Sequence, residues 1–370
     1  METERSFYKF KTLLDLMALA NSSLDTQEVM QMAVEAAISL VAAETGSLLL
    51  SDQDTGQIFF EVALAPQGEM LKKEVRLARG QGIAGWVIDT GEPLVVNDVQ
   101  SDPRFFRIAD EMSGFITRNM VCVPVRTREK TIGALQAINK KNGSFDDEDK
   151  DALMAFANQV AISIENANLY QELKGAFYGT AKALAEIIEM RDPYTGGHTH
   201  RVMDYSLAIG RLMTLPREEL ENLKLAAILH DIGKIGVRDN ILLKKGSLDS
   251  EETKKLNQHS EYGAEILSHV KQLRDVIPGV RNHHEKYDGT GYPDRLKGEE
   301  IPLIARIIAV ADTFDAMTTD RPYRNAIGVP QAIEELERNA GTCFDSKIVE
   351  CFVSYINRTG GPAGKADHEA

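Results

Sequence analysis

The spacing of apolar residues changes character twice along this chain, and the changes separate three kinds of segment. Phe7, Phe10, Leu14 and Met17 recur at 3-4-3 spacing, which predicts a helix over residues 1 to about 22. That stripe is too short to hold a helix without packing, as a coiled-coil seam or against the next domain. Asn21-Ser22-Ser23 interrupts it. Asp25-Thr26 then predicts the cap of a second helix through Ala43, apolar at Val29, Ala33, Ala36, Ala37 and Leu40. From Ser47 the period falls to two. Residues 47–50 and 58–62 read as strands around a turn at Asp54-Thr55-Gly56-Gln57, with further strands at 94–96, 120–125 and 132–138 and a short helix over 80–87. This order predicts an antiparallel sheet with flanking helices.

The helical period returns at Asp146. Leu153, Phe156, Val160, Ile164 and Ala167 form a buried-type stripe, and Tyr170, Leu173, Phe177, Leu184 and Ile188 continue it. A helix from 146 to about 191, ended by Pro193, exceeds the usual globular length and predicts a coiled-coil connector in a parallel dimer. Two consecutive helices bent near Gly175 or Gly179 are the plainer alternative. Beyond Glu186 nothing reads as a strand, and an all-helical domain is expected. Pro216 starts the helix that leads to His230-Asp231. Ser250-Glu251-Glu252 starts one that carries His259 and continues through Leu273, and Asp345-Ser346-Lys347 starts the last, through Ile356. The Gly- and Pro-rich tail, 359–370, is expected to be disordered.

Composition narrows the classes. A chain of 370 residues has room for two or three domains, and 43% hydrophobic with 26% charged residues describes ordinary globular cores. A net charge of −14 argues against a nucleic-acid binder, but not against a small phosphate substrate, because bound metal ions and a few arginines reverse the local sign. Three scattered cysteines suggest reduced thiols. Neither a leader pattern nor an apolar run of about 18 residues is present, so a cytoplasmic protein without membrane insertion is expected.

The chemistry gathers around Leu229-His230-Asp231-Ile232-Gly233-Lys234. An isolated His-Asp pair is most often a surface pair, but this one has company. Seven of the eight histidines lie between His198 and His284, and Asp312 sits in the apolar run 304–311 and just beyond it, where an unpaired carboxylate is costly. Imidazole and carboxylate donors without cysteine suit iron, manganese, cobalt or zinc. Six or seven donors exceed one tetrahedral ion and fit a pair. A two-metal hydrolase centre follows.

Two resemblances sharpen this reading. Gly80-Gln81-Gly82-Ile83-Ala84-Gly85-Trp86-Val87, Asn97-Asp98-Val99 with Asp102-Pro103-Arg104-Phe105, and Asn119-Met120-Val121-Cys122-Val123-Pro124-Val125 resemble a GAF domain over most of 24–168. GAF domains are sensory folds. Members that bind cyclic nucleotides often carry Asn-Lys, Phe and Asp-Glu after the last strand; here Asn139-Lys140 and Phe145 are present, but Lys150 stands in place of the glutamate. The GAF ligand is therefore left unassigned, and a purely structural, dimerising role stands beside ligand binding.

Tyr194-Thr195-Gly196-Gly197-His198, His230-Asp231-Ile232-Gly233-Lys234, His283-His284-Glu285, Asp288-Gly289-Thr290-Gly291-Tyr292-Pro293 and Asp312-Thr313-Phe314-Asp315 resemble an HD-GYP domain over roughly 175–358. The resemblance implies a bacterial phosphodiesterase that hydrolyses cyclic di-GMP to linear pGpG or GMP at two divalent ions, iron or manganese first. It implies one ion on His198, His230, Asp231 and Asp312 and a second on His259, His283 and His284, with Asp231 bridging. Lys234 is implied at the bridging hydroxide or a phosphoryl oxygen, and Arg321 and Arg324 at the substrate phosphate, where a planar fork suits paired oxygens. The loop Gly291-Tyr292-Pro293 reads as a tight turn bordering the substrate. Glu285 and Asp315 are expected to support the ligands. Tyr194 stands where some members carry a glutamate for a third ion, so two are expected. His200 points away from His198 on a helix, and His269 and His368 are expected at the surface. The alternatives are a silent HD-GYP domain that binds nucleotide or a partner without turnover, and a phosphohydrolase acting on another nucleotide such as cyclic GMP-AMP.

Overall fold

The computed structural model describes residues 23–359 except 53, 129, 192–196, 245 and 321–324. The expected N-terminal helix, the tail beyond Thr359, and Pro193, Tyr194, Arg321 and Arg324 lie outside the described residues. The chain divides into two units, Met1–Lys174 and Gly175–Ala370.

In the first unit, α1 (Thr26–Leu40) starts as expected, with the Asp25 carboxylate accepting from the amides of Gln27 and Glu28. It stops three residues short of the expected end. Ala42 turns into the left-handed region (φ 52°), its carbonyl accepts from the Lys141 amide at 2.9 Å, and Ala43 already pairs with Lys140. Sheet pairing overrides helix propensity there. The chain continues as β1 (Ala43–Ser51), β2 (Ile58–Ala63), α2 (Gly68–Glu74), β3 (Arg76–Leu77), α3 (Gly82–Thr90), β4 (Leu94–Val96), α4 (Ile108–Ser113), β5 (Met120–Arg126), β6 (Thr131–Lys140) and α5 (Asp147–Arg191). The strands form one antiparallel sheet in the order β3-β2-β1-β6-β5-β4. Strand alternation makes two cores. Leu48, Val121, Val123, Val125 and Leu135 share one with α1 and the first half of α5, where the whole stripe from Leu153 to Ala167 is buried. Leu49, Phe60, Met120, Cys122 and Ala134 share the other with α2 and α3. The expected strands are all present; β3, α2 and α4 are too short to leave a period. The expected long helix is one element of 45 residues.

The second unit holds α6 (His198–Leu212), α7 (Arg217–Leu229), a 3-10 turn (Ile232–Gly236), α8 (Asp239–Leu242), α9 (Ser250–Asn257), α10 (His259–Ser268), α11 (Ile277–Asn282), α12 (Leu303–Thr318), α13 (Val329–Arg338) and α14 (Ser346–Thr359). Thr359, expected to open the tail, closes this last helix. Among the described residues its sole β pairing is a bridge between Ala340 and Phe344. Tyr205, Phe314 and Phe352 meet edge to face at 4.9–5.5 Å and tie α6, α12 and α14 together. Each such ring contributes about 2–3 kcal/mol by burial alone.

The single helix expected from Ser250 through Leu273 is instead α9 and α10, parted at Gln258, followed by a 3-10 turn at Lys271–Leu273. At the break the carbonyls of Leu256 and Asn257 are taken by side chains, His259 Nδ1 at 2.8 Å and Ser260 Oγ at 3.2 Å. Side-chain donors compete with the backbone ladder and end it.

The turn after α7 lies directly on α10. A Cβ on Gly233 would stand 1.8 Å from the His259 carbonyl oxygen and 2.4 Å from the Gly263 amide nitrogen, both backbone atoms that cannot swing aside. This approach places His259 beside His230-Asp231. Gly233→Ala is expected to cost about 3 kcal/mol, the upper end of the usual overpacking penalty. Chemical denaturation of the full chain checks it; unchanged stability would mean that the approach is not obligatory.

Candidate metal centre

Three of the expected ligand histidines follow the end of a helix, His230 and His283 as the capping residues of α7 and α11 and His259 just past the end of α9, where the last carbonyls have no partner within the helix. Each donates Nδ1–H to the carbonyl three residues back. His230 reaches Ala227 at 2.8 Å, His259 reaches Leu256 at 2.8 Å and His283 reaches Val280 at 2.7 Å. A carbonyl can only accept, so these bonds keep a proton on Nδ1 and make Nε2 the nitrogen that offers a lone pair when the ring is neutral. His198 opens α6. Its Nδ1 instead meets Asp315 Oδ2 at 2.7 Å.

The freed nitrogens converge. His198 Nε2 lies 3.3 Å from His230 Nε2 and 3.4 Å from Asp312 Oδ1. His259 Nε2 lies 3.3 Å from His283 Nε2. His198, His230 and Asp231 form one group, and His259, His283 and His284 another, each with its donor atoms within 4.8 Å of one another. The Asp231 carboxylate lies between them: Oδ2 is 3.5 Å from His230 Nε2 and Oδ1 is 3.5 Å from His259 Nε2. Metal–nitrogen bonds of about 2.1 Å put neighbouring donors about 3.0–3.4 Å apart, so these spacings fit cations. Lone pairs facing one another at such distances repel unless a cation or proton lies between them.

Charge follows burial and neighbours. Burial disfavours a charged His230, but the Asp231 carboxylate and then Asp312 outweigh it and raise its pKa to about 9. Burial pushes His259 down, His283 well down and His284 to about 3. Burial works against ionised Asp231 too, yet Lys234 and His230 hold it well below the usual carboxylate range. Lys234 Nζ is 2.6 Å from Asp231 Oδ2. Asp315 is likewise depressed: burial opposes its charge, and hydrogen bonds from His198 and Arg201 overcome that.

Glu285 has a different place from the one expected. Its Oε1 accepts from the amides of Asp294 (2.7 Å) and Arg295 (2.9 Å) and so closes the loop that carries Tyr292-Pro293. Gly291 lets this loop lie on the chain beneath, since a Cβ there would be 2.5 Å from the Glu285 Cα. The Tyr292 ring stands 4.9 Å from the His284 ring, which puts the loop at the edge of the centre. Sequence reasoning passed over Arg201, whose guanidinium grips Asp315, although its position three residues after His198 marks the same helix face.

In the first unit a cavity of about 70 Å³ lies between the sheet and α2–α4, lined by Leu49, Phe60, Phe105, Phe106 and Met120, with Ser47 and Gln136 hydrogen bonded to each other at 3.0 Å. Drug-sized ligands occupy roughly 300–1,000 Å³. In this conformation the space is too small for a nucleotide, and Lys150, at the position expected for a glutamate, pairs with Asp147.

Residues 23–165 match the GAF domain family and residues 182–348 the HD domain family. Over 209 residues the chain is 37% identical to the 3'3'-cGAMP-specific phosphodiesterase 2 of Vibrio cholerae, covering 56% of this chain and 40% of that protein. It is 38% identical over 200 residues to the cyclic di-GMP phosphodiesterase response regulator RpfG of Xanthomonas campestris, covering 53% of each. With the cyclic di-GMP phosphodiesterase of Thermotoga maritima it shares 39% over 188 residues, 50% of each. The chain thus spans about half the length of these curated relatives, or less. An HD domain implies divalent metal binding. No helix among the described residues is long and apolar enough to cross a membrane. The chain therefore joins a GAF domain with an antiparallel sheet to a largely helical HD domain similar to those of cyclic dinucleotide phosphodiesterases.

Proposed function

We propose that this protein is a metal-dependent phosphodiesterase that hydrolyses cyclic di-GMP to linear pGpG or GMP under the control of its GAF domain. The observation that carries the reading is the shared carboxylate of Asp231, one oxygen facing each histidine group. His198, His230, Asp231 and Asp312 would hold one ion, and His259, His283 and His284 the other, with Asp231 common to both. Nitrogen and oxygen donors without thiolate suit iron, manganese, cobalt or zinc, and the family resemblance puts iron or manganese first. When bound, the pair supplies Lewis acidity and a water acidic enough to attack phosphorus at neutral pH.

The chain's own groups do the rest. Lys234 holds a positive charge against Asp231, where a phosphoryl oxygen would arrive. Tyr292 walls the His284 side. Arg321 and Arg324 are assigned to the phosphate on sequence grounds alone. Among the relatives, some are named for cyclic di-GMP and others for 3'3'-cGAMP, which favours cyclic GMP-AMP as the second reading of the substrate.

The connecting helix suits a dimer. Tyr170, Leu173, Phe177, Thr180, Leu184 and Ile187 follow a 3-4 repeat, and Leu173 and Ile187 are 70% and 56% exposed in the single chain. A parallel partner helix would cover them.

Anaerobically purified protein is expected to carry two ions per chain and to convert cyclic di-GMP, or cyclic GMP-AMP, into linear product resolved by chromatography. Asp231→Ala is expected to lose both ions and turnover; a variant that keeps both would refute the shared-ligand assignment. His230 carries a displaceable proton below about pH 9. Apparent metal affinity should therefore rise about tenfold per pH unit between pH 7 and 9. Chelator competition at three pH values measures this, and a flat profile would contradict it. Finally, sedimentation velocity should find a dimer that Leu173→Glu with Leu184→Glu dissociates; a monomeric parent protein would remove the dimer proposal.

A further inference from the structure

The turn that carries Lys234 is a soft piece of backbone in a place that needs a firm one. It is a 3-10 segment of five residues, and Lys234 lies between Gly233 and Ile235-Gly236. Its two glycines lie against α10 but restrict their own backbone little, so the conformation of the turn must be set by its neighbours. Inside the turn, the Lys234 amide bonds to the Asp231 carbonyl and the Val237 amide to the Lys234 carbonyl, both at 3.0 Å.

The clamp comes from outside. Arg191, the last residue of α5, donates to the carbonyls of Lys234 (3.2 Å), Ile235 (3.0 Å) and Val237 (2.8 Å). Its Nε and Nη2 also meet Asp239 Oδ1 at 2.9 and 2.6 Å, which orients the guanidinium plane from its far side. One planar fork with five donors can hold three carbonyls and a carboxylate together; a lysine ammonium cannot match that pattern. Two residues earlier, Glu189 accepts from the amide of Thr199 in the first turn of α6, next to His198. The final turn of α5 therefore touches the segments on both sides of the first ligand group.

We propose that Arg191 is a positioning residue that fixes the Lys234 turn so that the ammonium stays on Asp231. The inference rests on the reading of Lys234 given above. It also accounts for an arginine whose bonds to Asp239 alone, an exposed partner, would contribute little.

The test uses the full chain with Arg191→Met, Lys234→Ala and the double variant, each compared for metal content, kcat and KM. Lys234→Ala is expected to keep its metal and lose turnover. Arg191→Met is expected to keep its metal, lower kcat about tenfold, leave KM close to that of the parent, and add nothing in the Lys234→Ala background. An equal loss in both backgrounds would make Arg191 a general structural residue and overturn the proposal. Hydrogen exchange of residues 232–237 gives a readout that needs no catalysis. Arg191→Met should speed exchange there and leave the Tyr205–Phe352 core unchanged, and unaltered exchange in the turn overturns the proposal. If the parent protein turns over no cyclic dinucleotide, the functional reading fails while the exchange measurement still decides the positioning role. Should Arg191→Met not fold, Arg191→Lys keeps the charge without the fork and is expected to show the same selective loss.

Discussion

The bond on which the centre depends is the one from imidazole Nδ1–H to a helix's terminal carbonyl. It performs two tasks at once. It satisfies an orphan acceptor that the end of the helix would otherwise bury, and it chooses the tautomer that turns Nε2 and its lone pair inward. The last carbonyls of helices α7, α9 and α11 are taken this way, by His230, His259 and His283. Because the bond reaches three residues back along the same segment, each imidazole is fixed by its own helix. Bringing the helix ends together is then enough to build the site. His198 differs: its Nδ1 meets Asp315 of a second helix, which does for it what a carbonyl three residues back does for the others.

Bringing the ends together is a packing problem, and small residues solve it. The turn at Gly233 lies against the backbone of α10 at a distance that leaves no room for a Cβ, and the loop at Gly291 rests on the Glu285 backbone in the same way. The aromatic trio of Tyr205, Phe314 and Phe352 anchors α12, from which Asp312 and Asp315 project one turn apart. Packing free energy thus offsets the cost of gathering like lone pairs and carboxylates in a buried place, a cost that shows in the opposing shifts of His230 and His284. A cation would remove most of that conflict.

The sequence carried the outline of both domains because their strongest signals are local. Period-two runs at 58–62 and 120–125, and the stripe from Leu153 to Ala167, need no tertiary information to be read. The convergence of His198, His230, Asp231, His259, His283, His284 and Asp312 was legible from residue type and family motif. Its mechanism was not, since nothing in a one-dimensional reading says that a helix ends at Asn257 because His259 and Ser260 take its carbonyls. The early end of α1 was hidden for a like reason, as Ala43 leaves the helix for a partner almost a hundred residues away. Glu285 was misjudged by proximity: a carboxylate next to His284 in sequence turns instead to the amides of Asp294 and Arg295.

Arg191 belongs to the same class of hidden information. Helix α5 starts among the core residues of the GAF domain and finishes with a guanidinium on the carbonyls around Lys234. A helix is stiff along its axis, whereas the turn it grips contains two glycines. The same last turn of α5 holds the Lys234 turn through Arg191 and the Thr199 amide beside His198 through Glu189. On the positioning role proposed for Arg191, a shift of the end of α5 would move the Lys234 ammonium on Asp231.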